Sequence, residues 1–293
     1  MLLPLFVSIS QSSKKGGGMR SLGKSVLCSV LFCFIAGVAY GDDFDIFAGQ
    51  QGMLKIAGGT AHIPVMKEVA ELIMTSNPEI RITIAGGGTG VGIKQVWEGL
   101  VDIGNAGRLA TDEEIAAHKL FMVKWAIDGV GVVVNPKNRV TDLTGQQLQD
   151  IFSGRIDNWR EVGGEDRPIN LYDRDASSGT REVFWQEALK RSEVAKKANV
   201  VVSNGAMKTA VAGDPYGIGY VSVGHIDATV APVALDGVAP SLANVKKGSY
   251  GVARGLYSLT KGEPAGLAKA FLEFLLSPTG QKIAMDKGFI SVQ

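Results

Sequence analysis

Cysteine is all but missing from this chain. Its two examples, Cys28 and Cys33, both precede residue 41 in a segment that reads as a leader. The remainder therefore has no thiol from which to build a disulfide framework or a thiolate metal site. Histidine is nearly as scarce, and His62, His118 and His225 share no spacing that would gather a metal, so no metal or other cofactor is expected. Neither sign of charge dominates. Residues 1–41 hold four basic residues and no acidic one, so the rest of the chain carries 26 basic against 29 acidic residues. Such a balance offers anions no broad attracting field. No basic stripe interleaved with aromatics marks a nucleic-acid surface. Also missing are a Gly-x-Ser-x-Gly elbow and any second histidine near a carboxylate motif. Those gaps weigh against a phosphate-ester hydrolase with Ser178 as nucleophile and His62 as base, and the chain is expected not to be an enzyme.

Only one apolar run stands out, over residues 26–38. It follows Met19-Arg20-Ser21-Leu22-Gly23-Lys24 and precedes Ala39-Tyr40-Gly41. Basic, apolar and small-residue regions in that order predict a secretory signal peptide over 1–41, with Met19 as an alternative start. The run is too short for a comfortable membrane span, which predicts a soluble periplasmic protein. Leu27 before Cys28 and Phe32 before Cys33 are bulky where lipid attachment needs a small residue, which argues against a lipoprotein.

Against these absences stands Tyr172-Asp173-Arg174-Asp175-Ala176-Ser177-Ser178-Gly179-Thr180-Arg181. Val183, Phe184, Ala188 and Leu189 then recur at helical spacing, so Ser178, Gly179 and Thr180 fall where a helix begins. N–H groups at such a start point outward and favour an anion, and Arg174 adds a planar fork of donors. By itself the segment is equally an ordinary N-cap. Two further turns repeat the pattern. Residues 84–95 place Gly86-Gly87-Gly88-Thr89 between a strand and a helix; this is not a P-loop, because Ile93 separates Gly92 from Lys94 and Gln95 follows. Residues 54–64 run from a strand through Gly58-Gly59-Thr60-Ala61-His62 to Pro64, tolerated in a first helical turn. Three hydroxyl-bearing helix starts and one cation describe a pocket that holds an anion mainly with neutral donors, as a buried charge requires.

From about Leu54 onward these segments resemble the PstS-like phosphate-binding proteins of bacterial phosphate ABC importers, within the type II periplasmic binding protein fold. Val101-to-Arg108, Leu148-to-Gly154 with Asn158-Trp159, Gly217-to-Val221 and the helix over 271–280 carry the resemblance further. It implies inorganic phosphate as ligand, membrane permease subunits as partners and a monomer. The ligand positions fall on Thr60, the Ala61 backbone, Thr89, Arg174, Ser178, Gly179 and Thr180, with Gly88, Arg108, Ser177, Asp175 and His62 as further candidates. At Gly107 the family often carries an aspartate that accepts the proton of phosphate and repels sulfate. Here Asp175 or Asp128 would have to stand in, or the site would discriminate less, leaving sulfate, molybdate or a similar oxyanion as alternatives. A surface ion pair from Arg108 to Asp112 or Glu113 is as consistent with the sequence as ligand contact.

Alternating strands (54–56, 80–84, 101–103, 130–134, 169–172) and helices (65–74, 92–100, 180–191, 267–276) predict α/β units on mostly parallel sheets. The resemblance implies two lobes, 42–130 with 250–293 and 131–249, and a ligand cleft between them.

Overall fold

The computed structural model describes residues 43–293, so the leader and both cysteines lie outside the described residues. The first half runs β1 (Gly52–Gly58), α1 (Ile63–Ser76), β2 (Ile80–Gly87), α2 (Thr89–Trp97), β3 (Ile103–Ala106), α3 (Asp112–His118) and β4 (Leu120–Val134). In the second half come β5 (Asp142–Leu143), α4 (Gly145–Ser153), β6 (Asn170–Arg174), α5 (Gly179–Val183), β7 (Asn199–Val201), α6 (Asn204–Gly213), β8 (Gly217–Ser222), β9 (Ala231–Leu235) and α7 (Leu242–Lys246). The chain then returns through β10 (Ala253–Lys261) to α8 (Gly266–Leu276) and α9 (Pro278–Asp286). Among the described residues no helix is long and apolar enough to cross a membrane.

The strands lie in the order β2-β1-β3-β10-β4-β8-β6-β7. Pairing is parallel toward both ends, β2-β1-β3 and β8-β6-β7, as the βαβ pattern predicts. The middle is antiparallel because β4 and β10 run through it in opposite directions, paired from Ala253–Gly129 to Lys261–Leu120. β4 is fifteen residues long, ten more than the segment read as a strand, because its first part joins one half and its last part the other.

Two large hydrophobic cores follow from this crossing, beside a smaller cluster of Ile93, Val96, Ala106, Ala110, Leu120 and Leu259. One gathers Leu54, Ile56, Val65, Val69, Ile73, Ile103, Trp125 and the C-terminal Phe271 and Phe274. The other gathers Val130, Val132, Leu148, Phe152, Phe184, Met207, Ile218 and Tyr220. α1 shows how the sequence directs this: Pro64 sits in the first turn, and Val65, Met66, Val69, Ala70 and Ile73 repeat at three and four residues to bury one stripe. The helix predicted over 180–191 is shorter than its apolar spacing suggests. After Val183 the backbone widens into a π turn over Phe184–Ala188, and Lys190 and Arg191 take positive φ, which ends it.

Candidate functional site

The loops that follow four of the parallel strands, β1, β2, β3 and β6, contribute to one small cavity. After β1 come Gly59, Thr60, Ala61 and His62; after β2, Gly88 and Thr89; after β3, Gly107; after β6, Ser178, Gly179 and Thr180. Arg174 at the end of β6 and Arg254 on β10 complete the lining. Convergence at strand carboxyl ends is the expected place for a ligand in such sheets.

Arg174 is 2% exposed. Its Nε and Nη2 donate to the carbonyls of Val201 and Val202 at 3.1 and 3.2 Å, and its backbone N–H donates to the Tyr220 hydroxyl at 3.2 Å. Asp175 stands 3.8 Å from Nη2. Nη1 is buried without a protein partner. The clamp therefore spends one side of the guanidinium on backbone and leaves the other for whatever enters. Burial lowers its pKa from the ordinary value, with Asp175 opposing, yet an arginine stays protonated at any physiological pH.

Arg254 is the residue that sequence reasoning missed. It pairs in register with Asp128 across β10 and β4, and its Nε and Nη2 both donate to Asp128 Oδ2, at 3.0 and 2.8 Å. Ser222 donates to the other carboxylate oxygen at 2.8 Å. Burial pushes the Asp128 carboxyl up while Arg254 and Ser222 pull it down. Nη1 of Arg254 reaches Gly107 so closely that a Cβ built there would lie 2.6 Å from it. A guanidinium thus fills the space that an aspartate side chain at 107 would need. Asp128 is fully engaged by the pair and is no acceptor for a ligand.

The hydroxyls are turned by their neighbours. Thr89 Oγ1 accepts from Gly107 N–H at 2.9 Å, Ser178 Oγ from Arg181 N–H at 3.2 Å, and Thr60 Oγ1 from both the backbone and side-chain nitrogens of Asn204, at 3.2 and 3.0 Å. Each oxygen that accepts from the protein keeps its own proton to give. The backbone N–H groups of Thr60, Ala61, Gly179 and Thr180 have no acceptor among the described residues. No carboxylate lines the cavity. The arrangement can hold a compact anion with several oxygens, and it lacks a nucleophile–base pair: Ser178 caps a helix, while His62 faces the Tyr257 carbonyl through Nε2 at 3.2 Å.

His62 is fully buried, and burial, then the charge of Arg254, hold its pKa down to about 3; His225 is held to about 4 by burial and Lys208. Unfolding returns each to about 6.5, so the unfolded chain binds more protons at acidic pH. Stability is accordingly highest above pH 6.5 and falls as pH drops toward 4 and 3. Urea unfolding at pH 7 and pH 5 measures that loss, and His62→Asn should flatten the slope.

Comparison with known proteins bears on this geometry. Residues 46–279 match the family model described as a PBP superfamily domain. A curated phosphate-binding protein PstS from Bacillus subtilis (strain 168) is 39% identical over 266 residues, 89% of this chain and 88% of its own. This chain belongs to the PstS family. A solved phosphate ABC transporter substrate-binding protein with bound phosphate, from Clostridium perfringens, shares 34% identity at a TM-score of 0.78, over 83% of this chain and all of its own. A solved ABC-type phosphate transport receptor from Vibrio cholerae shares 34% identity at a TM-score of 0.65, over 81% of this chain and 99% of its own.

Of the positions suggested by the PstS resemblance, Thr60, Ala61, Thr89, Arg174, Ser178, Gly179 and Thr180 all line the one cavity, together with Gly88 and His62. Arg108, Ser177 and Asp175 do not. Arg108 is held by Glu114 and by Glu182 of α5, each at 2.8 Å, and not by Asp112 or Glu113. Ser177 ties the halves together: its hydroxyl lies 2.7 Å from the Gly87 carbonyl, and its own carbonyl accepts from Gly90 N–H at 3.0 Å. Asp175 accepts from the Ser177 backbone at 3.0 Å. Asp173 does not face Arg174 but takes Arg181 Nε at 2.8 Å and the Tyr220 hydroxyl at 2.5 Å. At Gly179 an added Cβ would overlap Thr89 Oγ1, so the two halves meet there backbone to side chain.

Proposed function

We propose that this chain is an extracytoplasmic receptor that captures inorganic phosphate between two lobes and delivers it to the permease of an ABC importer. One observation carries the reading: Arg174 Nη1 is buried, unpartnered and set in a cavity ringed by hydroxyl and N–H donors. Such a cavity is unfavourable unless an anion satisfies it. The names of the relatives and the phosphate held by the Clostridium perfringens neighbour support the choice of anion. Lobe boundaries of 42–130 with 250–293 and of 131–249 lie close to where the two larger cores change over, between Ala126 and Val130 and again between Val252 and Leu256; Val130, Tyr250 and Val252 pack in the second core. Thr60, Ala61 and Thr89 then donate from the first lobe, and Arg174, Ser178, Gly179 and Thr180 from the second. Arg254 adds a second guanidinium from the crossover strand. Closure excludes water and strengthens each bond, and a hinge motion reports occupancy to the membrane partner. The leader motif over 1–41 supports export to the periplasm. Calorimetric titration of the ligand-stripped protein should show one phosphate per chain; no binding would overturn the reading.

The cavity's lack of a carboxylate favours a broader second reading. A sulfate ion meets no buried negative charge here, so phosphate leads it by about tenfold at most, the worth of one hydrogen bond. Between pH 5 and 8 His62 stays neutral and the arginines stay charged. Phosphate affinity therefore rises as the ligand itself passes from monoanion to dianion, while sulfate affinity stays flat. Competition titrations across that range test both statements; rejection of sulfate by a thousandfold would mean that an acceptor faces the ligand after all.

A further inference from the structure

Asn204 is fully buried at the first position of α6, outside every segment that suggested the site. Its Oδ1 accepts from Ser222 N–H at 3.0 Å, which fixes which end of the amide is oxygen and turns the nitrogen the other way. Nδ2 donates to Thr60 Oγ1 at 3.0 Å and lies 3.5 Å from Thr180 Oγ1; the Asn204 backbone N–H also donates to Thr60 Oγ1, at 3.2 Å. A hydroxyl has two acceptor sites and one proton. Both acceptor sites of Thr60 are therefore filled by one residue, and its proton is left for the cavity that Thr60 lines.

We propose that Asn204 is the positioning residue that makes Thr60, and more weakly Thr180, obligate donors toward the bound anion. Thr60 follows β1 and Asn204 follows β7, so the bond joins the two halves of the molecule. Donor polarity is thereby tied to closure: an open cleft leaves the Thr60 hydroxyl free to turn, and a closed one aims it. This inference rests on the phosphate-receptor reading above. A buried asparagine that only caps α6 would use the same Ser222 bond, but Ser203 already caps that helix through its hydroxyl, accepting from Ala206 N–H at 2.9 Å.

The test is a double-mutant cycle read by phosphate calorimetry, with Asn204→Ala, Thr60→Val and the pair of substitutions. Asn204→Ala should weaken phosphate binding by about ten- to a hundredfold, the range of one or two lost donors. In the Thr60→Val background the same substitution should cost threefold or less, because the hydroxyl it aims is gone. Asn204→Ser, run through the same cycle, carries the test should the alanine variant unfold. Equal losses in both backgrounds, or binding by Asn204→Ala within twofold of the parent, would overturn the inference. Failure of the parent to bind phosphate would instead strike at the receptor reading itself.

Discussion

Arg174→Met weakens phosphate binding by a hundred- to several-thousandfold, the loss expected when one member of a buried charge pair is removed. The remaining donors are neutral hydroxyl and N–H groups and Arg254, whose charge is already answered by Asp128 at 2.8 Å. Without Arg174 the anion loses the buried guanidinium whose Nη1 has no protein partner and keeps only one that is already paired. Lysine does not rescue the site. The native side chain is clamped through Nε and Nη2 to two successive carbonyls on and just beyond β7, a geometry that needs the rigid fork of a guanidinium. Calorimetry of Arg174→Met and Arg174→Lys, with urea unfolding alongside to show that both fold, checks this. Parent-like affinity in either variant would mean that the anion sits elsewhere.

Arg254→Met has its largest effect on the fold, destabilising it by about 3–5 kcal/mol, because it leaves Asp128 with 0% exposure and no cation, only the Ser222 hydroxyl and the Val223 backbone as neutral partners. Unopposed burial then raises the carboxyl pKa above its unfolded value, so the folded state binds the extra proton. The deficit is accordingly smallest in acid and grows as pH rises. Adding Asp128→Asn removes the orphaned charge and restores most of the stability. Phosphate affinity should stay below the parent's in the double variant, since the guanidinium beside Gly107 is still gone. Urea midpoints at pH 5 and 7 separate the two roles; a single variant as stable as the parent would show that the pair does not hold the strands.

The three hydroxyl turns were legible because each is a local signal: a strand, glycine beside Thr or Ser, then helical periodicity. Such turns need only neighbouring residues to be recognised. Arg254 has no local signal. It sits at the start of β10, and its role exists only because that strand passes between Asp128 on β4 and Gly107 after β3. Asn204 stayed hidden for the opposite reason, since Ser203-Asn204-Gly205 reads as an ordinary helix start until the fold brings it against Thr60. The same distance problem explains Arg108, whose partner on α5 lies far along the chain. Strand bounds differed by a few residues at β1, β2, β3 and β6, and the largest difference, at β4, has a physical reason: its continuous apolar run is confined to its second part, Val130–Val134, while its first part carries charge at Lys124 and Asp128.

The meeting of Thr89 with the bare backbone of Gly179 has a mechanical consequence. A single methyl group there would act as a doorstop. Under the receptor proposal, Gly179→Ala would hold the two halves apart by about the width of that methyl: it would bind phosphate more weakly and, even when filled, would not adopt the shut outline that a permease would read as loaded. Such a variant would uncouple occupancy from the message that occupancy sends.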